Sequence, residues 1–195
     1  MTATLNPPLP IRPPRLRWTG REFDQAADMG LFGRRRVELI DGDILEQMPM
    51  NEPHAYCVQL GTYLLMSKLP PQRYTVRIQL PMRLGEERPL PDFAVVAGPP
   101  RDNSSHPETA LLVIEVSDAT LAFDLTDKAE LYAANGIPEY WLADVNAKRI
   151  LVHRKPQRDR AGNAVYADIF PVERGATVTA LNVPELVIGV DELIP

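Results

Sequence analysis

One segment, residues 111–117, constrains the fold of this chain more than any other. It reads Leu-Leu-Val-Ile-Glu-Val-Ser, and an almost continuous apolar run of this length is typical of a central strand covered on both faces. The protein must therefore place layers on both sides of a sheet. The one charged residue in the run, Glu115, is unfavourable to bury unless its carboxylate is paired or binds a cation.

Turn and cap signals predict the elements around this strand. Thr19 begins the pattern of a helix capping box, and Asp41-Gly42 between apolar runs predicts a hairpin in which Glu38 pairs with Leu45. The predicted helices cover residues 19–29, 51–68 and 124–135, with the hairpin at 36–48 and strands at 74–80, 93–97, 111–117, 140–145, 148–154 and about 165–172. This order predicts the α/β class, as a mixed α+β sheet flanked by helices without regular βαβ alternation.

Length and the first residues predict the domain organisation. A chain of 195 residues is long enough for one domain with a sizeable core and short for two. Residues 1–17 are rich in proline and arginine, which predicts a flexible arm. This arm is either a solubilising tail or a segment whose arginines touch phosphates. We therefore predict a single domain over residues 18–195.

Composition narrows the class of protein. The chain has no apolar run near the roughly 20 residues that span a bilayer. Its N-terminus lacks the pattern of a secretory signal, and Cys57 is its only cysteine. These features favour the cytoplasm. The formal net charge of −5 counts mildly against nucleic acid as a partner, although a site for divalent cations needs clustered acids that lower the total.

Asp92 and Glu115 are the candidate pair of metal ligands. Asp92 follows Pro91 at the start of the predicted strand 93–97, and Glu115 lies in the next strand along the chain. If the two strands are neighbours, both carboxylates can reach one ion. Mg²⁺ takes oxygen ligands and keeps several waters, so two carboxylates suffice. The alternatives are a buried salt bridge for Glu115 and a simple turn for Pro91-Asp92.

Lys128 is the candidate cation of the same site. In a regular helix its neighbours at i−3, i+3 and i+4 are Leu125, Leu131 and Tyr132, which form the apolar face. Lys128 should therefore point at least partly toward the sheet, where it could reach Glu115. There it would stabilise charge on a reacting phosphate, or orient or deprotonate the attacking water. The alternative is that Lys128 extends along the helix to solvent.

Glu38 and His54 are further candidates. Glu38 shares a face of the predicted hairpin with Ile40 and Leu45, so its carboxylate points either inward or to solvent. His54 opens the second helix, where it could orient a water or a phosphate, although a surface histidine near a helix start needs no function. The other histidines have no partner at a useful spacing. The sequence shows no zinc pattern, no glycine-rich phosphate loop and no nucleophile elbow.

Several of these segments together resemble one bacterial family. They are Val37-Glu38-Leu39-Ile40-Asp41-Gly42-Asp43, Pro91-Asp92, Ile114-Glu115-Val116-Ser117, residues 128–132, and Gly136-Ile137-Pro138-Glu139-Tyr140-Trp141. Their combination is similar to the Uma-type endonucleases of the PD-(D/E)XK nuclease superfamily, over roughly residues 18–190. The resemblance implies a restriction-endonuclease-like core, with a central mixed sheet flanked by helices and an added N-terminal hairpin.

The resemblance also implies roles for four residues. It makes Asp92 and Glu115 the metal ligands, with Mg²⁺ as cofactor and Mn²⁺ as a substitute, and Glu38 a further acid of the catalytic site. The usual lysine of the superfamily lies two residues after the second acid, where this chain has Ser117. The lysine of this family lies in the following helix and matches Lys128. DNA as substrate and a homodimer are implied as well.

Three functions remain open at this point. The first is a metal-dependent endonuclease that hydrolyses phosphodiester bonds in DNA. The second is a nuclease-fold module that binds nucleic acid or a protein partner with weak or no turnover, which the net charge and Ser117 favour. The third is another two-carboxylate hydrolase such as a glycosidase, which an inward lysine and an aromatic content of 7% disfavour. We expect the first.

Overall fold

A six-stranded mixed sheet is the centre of the structure. The computed structural model describes residues 14–195. The strands of the sheet are β3 (Tyr74–Ile78), β4 (Phe93–Ala97), β5 (Leu112–Ser117), β6 (Glu139–Asp144), β7 (Arg149–Arg158) and β8 (Ala164–Val172). They lie side by side in this order. β5 and β6 are parallel, and the other neighbours are antiparallel.

Two small ribbons and several helices surround this sheet. The ribbons pair β1 (Val37–Ile40) with β2 (Asp43–Glu46) and β9 (Thr177–Thr179) with β10 (Val187–Gly189). The helices are α1 (Gly20–Asp28), α2 (Glu52–Lys68), α3 (Leu121–Phe123), α4 (Ala129–Ala134) and α5 (Val190–Leu193), with a π-helical turn at Asp124–Lys128. Within residues 14–195, none of the helices has the length and apolar character needed to cross a membrane.

β5 is buried along its whole length, because an apolar layer covers each face of the sheet. One layer packs Ile114 against side chains such as Leu65 of α2. The other layer groups Val113 with Tyr132 of α4. Alternate residues of a strand project to opposite faces, so Glu115 projects into the layer that contains α4.

The predicted fold class is confirmed. A central mixed sheet is flanked by helices, and a separate hairpin precedes it. That hairpin has the predicted register, with Glu38 opposite Leu45. Asp41 and Gly42 have φ values of 48° and 71°, which a two-residue hairpin turn of this kind requires. The capping box at Thr19 is also present.

The chain approaches this hairpin from residues 14–18. Arg17 Nη1 lies 2.6 Å from Asp41 Oδ2, and Trp18 N donates to Gly42 O over 2.9 Å. Of the arm predicted for residues 1–17, residues 1–13 lie outside the described residues. The division into an arm and a single domain over 18–195 stays a prediction.

The predicted regular helix over residues 124–135 is wrong in detail. The helical segment begins at α3 and passes through the π-helical turn before α4. A π turn brings residues about five apart into hydrogen-bonding register, so the inward face shifts by one position. Lys128 faces the sheet as expected, but Leu125, expected on the same face, is 36% exposed, whereas Asp124 is buried. The turn therefore places a carboxylate where the sequence pattern predicts a leucine.

The strand predicted over residues 74–80 ends early, at Ile78. Gln79 has a φ of 50°, in the left-handed region of backbone conformation that residues other than glycine and asparagine rarely adopt. The chain leaves the sheet at this residue. Leu80, expected to continue the apolar face, is 47% exposed, so that part of the prediction is wrong.

Candidate active site

Asp92 bonds to Glu115 and to the next residue, Val116, where β4 and β5 meet. The Asp92 backbone N–H donates to Glu115 Oε2 over 3.0 Å, and the Val116 N–H donates to Asp92 Oδ2 over 2.8 Å. Both lie one position beyond the cross-strand pair of Phe93 and Ile114. The pairing of these two neighbouring strands therefore brings the two carboxylates together.

Lys128 reaches this junction from the π-helical turn. Its Nζ lies 2.5 Å from Glu38 Oε2 and 3.3 Å from Glu115 Oε1. Lys128 is only 3% exposed, so it does not extend to solvent. Glu38 points inward as well, and its Oε2 also accepts a hydrogen bond from the Leu90 N–H over 3.2 Å. A buried ion pair between hairpin and helix thus stands beside Glu115.

Tyr132 orients the Glu115 carboxylate from α4. Its hydroxyl donates to Glu115 Oε1 over 2.6 Å, which is the oxygen that Lys128 approaches. Both oxygens of Glu115 therefore have donors, one from the strand junction and one from the helix. Such bonds hold a carboxylate in one rotamer, which is the arrangement that a precise site needs.

The buried charges of this cluster do not balance. One lysine faces four buried carboxylates, namely Glu38, Asp92, Glu115 and Asp124. Burial raises the pKa of Glu115 to about 8, with Lys128 opposing the rise and the Asp92 and Asp124 charges adding to it. Burial lowers the pKa of Lys128, but Glu115 and Glu38 raise it more, so the lysine stays charged. The excess of negative charge is what a bound divalent cation would neutralise.

Asp124 is the acid that the π-helical turn adds. Burial raises the pKa of its carboxyl group, and the hydrogen bond from Thr120 opposes the rise. That bond joins Thr120 Oγ1 to Asp124 Oδ2 over 2.6 Å. Ser117, two residues after Glu115, is fully buried and supplies no charge. The cation at this site therefore comes from the helix.

Two polar side chains hold the remaining oxygen of Asp92. Gln79 Nε2 donates to Asp92 Oδ1 over 3.0 Å, and His54 Nε2 lies 3.2 Å from the same oxygen. Arg36 Nη1 donates to Gln79 Oε1 over 3.0 Å, so the amide NH₂ of Gln79 faces Asp92. Burial lowers the pKa of His54, but the bond to Asp92 gives a net rise. A chain of hydrogen bonds thus runs from the exposed Arg36 to a candidate metal ligand.

The cluster opens to solvent through one cleft. The cleft has a volume of about 400 Å³, and its lining includes Glu38, Asp92 and Glu115. Met48 and Met50, which also line it, are 68% and 46% exposed, so its rim is partly apolar. A ligand can therefore approach the acids from outside.

The residues of the cleft fit a divalent cation with open coordination positions. Within residues 14–195, no three His, Cys, Asp or Glu side chains are grouped so that they could hold a metal ion by themselves. Asp92 and Glu115 supply hard oxygen donors, and Mg²⁺ needs only one or two carboxylates when waters and phosphate oxygens complete its shell. The excess negative charge favours such an ion. A closed structural metal site, with all ligands from the protein, does not fit.

The sequence marks four charged residues of the cleft, but it misses Asp124 and the groups that orient the acids. The structure brings together all four residues that the sequence marks, which are Glu38, Asp92, Glu115 and Lys128. Tyr132 is missed because it has the spacing of the apolar face, and Asp124 because the π-helical turn is invisible in the pattern. His54, which the sequence favours as a plain surface residue, lies in the cleft. Gln79 has no signal, since its role depends on a backbone conformation.

Comparison with known proteins gives a family and a fold. A model of the Uma2 family, described as "Putative restriction endonuclease", matches residues 22–190. A search among curated proteins finds no match. A crystal structure from Anabaena variabilis, described as "a putative nuclease belonging to DUF820", is 18% identical, with a TM-score of 0.63 over 90% of this chain and 97% of that chain. This likeness shows the shared fold.

Proposed function

The chain belongs to the Uma2 family, and from that premise we propose that it is a divalent-metal-dependent endonuclease that hydrolyses phosphodiester bonds in DNA. The observation that carries the proposal is the cluster at the cleft, where four buried carboxylates face one lysine. A structural ion pair would not need this excess of negative charge. A cation-dependent phosphodiesterase does, because its acids must recruit a metal ion to a polyanionic substrate.

Four residues of the cluster have proposed roles. Asp92 and Glu115 hold the ion, with Mg²⁺ expected and Mn²⁺ as a substitute. When bound, such an ion polarises a phosphoryl oxygen and lowers the pKa of a water molecule. Lys128 Nζ stabilises the negative charge that builds on the phosphate. Glu38, 2.5 Å from that nitrogen, keeps Lys128 charged and in place.

A second candidate is a nuclease-fold module that binds a partner without turnover. The donors around Asp92 favour it, because Gln79, His54 and the Val116 N–H already occupy both carboxylate oxygens. The pKa of Glu115, raised to about 8 by burial, also leaves this carboxyl group largely protonated at neutral pH. A metal ion must displace the Glu115 proton here before catalysis begins. The homodimer that the resemblance implies stays a prediction.

Cleavage of plasmid DNA distinguishes the two candidates. Supercoiled plasmid is incubated with wild type and with Asp92→Asn, in Mg²⁺, in Mn²⁺ and in excess chelator. The endonuclease predicts nicked and linear products only for wild type with a metal ion. Asp144→Asn is the matched control, because Asp144 is buried in β6 and does not line the cleft.

The outcomes separate cleanly. Metal-dependent nicking by wild type and by Asp144→Asn, but not by Asp92→Asn, supports the endonuclease. Plasmid that stays supercoiled with every protein and metal, while circular dichroism shows folded chains, contradicts it and favours the binding module.

A further inference from the structure

The proposed substrate is a polyanion, whereas the chain has a net charge of −5 and gathers acids in its cleft. Resting on that proposed function, we propose that Arg34 and Arg35 form a docking surface for the phosphate backbone of duplex DNA at the rim of the cleft. The surface is the arginine loop, residues 30–36, which connects α1 to β1. Its contacts supply affinity without reading base sequence.

The two arginines of the loop are available to a partner. Arg34 and Arg35 are both exposed. Within residues 14–195, neither forms an ion pair with a carboxylate, although many other arginines do, among them Arg17, Arg88 and Arg154. Guanidinium groups bind phosphate through two parallel hydrogen bonds. Two such groups without carboxylate partners therefore offer a phosphate-binding edge.

The arginine loop adjoins the cleft. A shallow depression is lined by residues 30–35 together with Glu46, and Glu46 also lines the cleft. Arg36 continues the loop toward the acids, because its carbonyl accepts a hydrogen bond from the Gln47 N–H over 2.9 Å. Its guanidinium bonds to Gln79, which holds Asp92. A duplex that lies across the loop would therefore pass the mouth of the cleft.

The loop is held in one conformation by its own contacts. Gly30 and Gly33 have positive φ values of 73° and 59°, which suits glycine. The Leu31 N–H donates to Ala26 O over 2.9 Å, and the Arg35 N–H to Phe32 O over 3.1 Å. The ring of Phe32 stacks on α1 through Phe23, with 5.1 Å between ring centroids. A preorganised loop loses less entropy on binding than a mobile one.

Glu46 is the opposing charge in this depression. It is the acidic residue among those that line it, against two arginines. The local balance is therefore positive, whereas the cleft on the other side of Glu46 is negative. This boundary suits a substrate whose backbone is held on one side while one phosphate enters the cleft.

The salt dependence of DNA binding tests this surface. Fluorescence anisotropy measures the affinity of wild type, Arg34→Gln/Arg35→Gln and the control Arg101→Gln/Arg160→Gln for a labelled duplex without metal, over a series of salt concentrations. Arg101 and Arg160 are exposed and line neither the cleft nor the depression. The control removes the same net charge. Each lost phosphate contact lowers the slope of log K against log salt by about 0.9.

The expected result is a slope that falls by about 1.8 for Arg34→Gln/Arg35→Gln, with affinity weaker by tens of fold at about 0.1 M salt, and little change for the control. Equal slopes for the two double variants would overturn the proposal. So would equally tight binding of polyglutamate by wild type, since the loop would then be a general anion or acidic-peptide surface.

The plasmid assay distinguishes failure of the docking surface from failure of the proposed endonuclease function. If wild type binds duplex with the arginine-dependent slope but does not cut plasmid, the docking surface is supported and the catalytic proposal fails. If wild type cuts plasmid but Arg34→Gln/Arg35→Gln binds like the control, the docking surface fails and the catalytic proposal stands.

Discussion

Two buried glutamates in neighbouring parallel strands, Glu115 in β5 and Glu139 in β6, have contrasting surroundings. Their strands pair directly, but the two side chains project to opposite faces of the sheet. Glu139 shares its face with Trp141, and Glu115 shares its face with Val113. Glu139 is 0% exposed and Glu115 is 5% exposed, so burial alone does not distinguish them. Their hydrogen-bond and ion-pair partners distinguish them.

Glu139 is fully matched by groups of the fold. Arg154 Nη2 lies 2.7 Å from Glu139 Oε1, and Trp141 Nε1 donates to the same oxygen over 2.8 Å. The Leu181 N–H donates to Oε2 over 2.6 Å. One negative charge meets one positive charge, and the side chain does not line the cleft. The buried salt bridge that the sequence leaves open for Glu115 is the arrangement found at Glu139.

Glu115 shares its one cation with another acid. Lys128 lies closer to Glu38 than to Glu115, and the carboxylates of Asp92 and Asp124 add negative charge. A cleft reaches the group from solvent. The contrast teaches that a buried carboxylate indicates a functional site when the charges around it are unbalanced and a ligand can approach it.

Substitution of Glu115, but not of Glu139, should cause a large loss of cleavage activity. Glu115→Gln removes a metal ligand of the proposed site, so we expect the rate of plasmid cleavage to fall by roughly three orders of magnitude, or about 4 kcal/mol. Glu139→Gln should keep the wild-type rate per folded molecule. Single-turnover cleavage, normalised to the folded fraction from circular dichroism, measures both. Equal losses of activity in the two variants would contradict a role in cleavage for Glu115 alone.

Glu139 should matter more than Glu115 for the free energy of unfolding, although Glu115 matters more for activity. Glu139→Ala leaves the buried part of Arg154 without its partner, so we expect the free energy of unfolding to fall by about 3 kcal/mol. Because its pKa is raised to about 8 in the folded protein, Glu115 must bind a proton when the wild type folds at pH 7. Glu115→Gln removes this cost, so stability should stay the same or rise. Urea denaturation at pH 7 measures both changes. A larger loss of stability for Glu115→Gln than for Glu139→Ala would contradict this assignment.

The pH dependence of stability sharpens the contrast further. The pKa of Glu115 is about 8 in the folded protein and about 4.5 ordinarily, so the folded state holds this proton more tightly. Its contribution to stability is complete below pH 4.5 and is lost as the pH rises toward 8. Glu115→Gln cannot titrate, so its stability relative to wild type should rise by about 2 kcal/mol from pH 5 to pH 6.5.

Denaturation curves at closely spaced pH values, without metal, measure this difference. Glu139→Gln provides the comparison, since it removes a carboxylate that has no neighbouring acid excess. A difference between Glu115→Gln and wild type that does not change with pH would show that Glu115 is ionised throughout.

The smallest expected effect concerns the residue that orients Asp92. Gln79→Gly removes the bond to Asp92 Oδ1 but suits the positive φ of 50° at this position. We expect cleavage about tenfold slower, with stability unchanged or higher by up to about 1 kcal/mol. Lys148→Gly is the control, because Lys148 has a φ of 51° and lies in the turn between β6 and β7. It should keep full activity.

The sequence predicts Glu115 and Lys128 in the cleft because strand and helix periods decide which way a side chain points. Glu115 stands out in an apolar strand, and Lys128 stands out near an apolar helical face. Strand order could not be derived from those periods, since the parallel pairing of β5 with β6 depends on packing across the whole sheet. The family resemblance implies a mixed sheet but not the order of its strands.

What the sequence could not predict depends on backbone departures from regular geometry. The π-helical turn replaces Leu125 by Asp124 on the inward face, and no residue type in that segment requires such a turn. The left-handed conformation of Gln79 ends β3 and aims an amide at Asp92, although glutamine rarely adopts it. Both departures lie at the cleft, where strain is retained when it positions a functional group.

Calorimetric titration of Mg²⁺ and Mn²⁺ into wild type and Asp92→Ala tests whether the unbalanced acids at Glu115 form a cation site. We expect wild type to take up metal and to release protons as Glu115 ionises, and a folded Asp92→Ala to take up none. Failure of wild type to take up either metal, or equal uptake by both proteins, would contradict it.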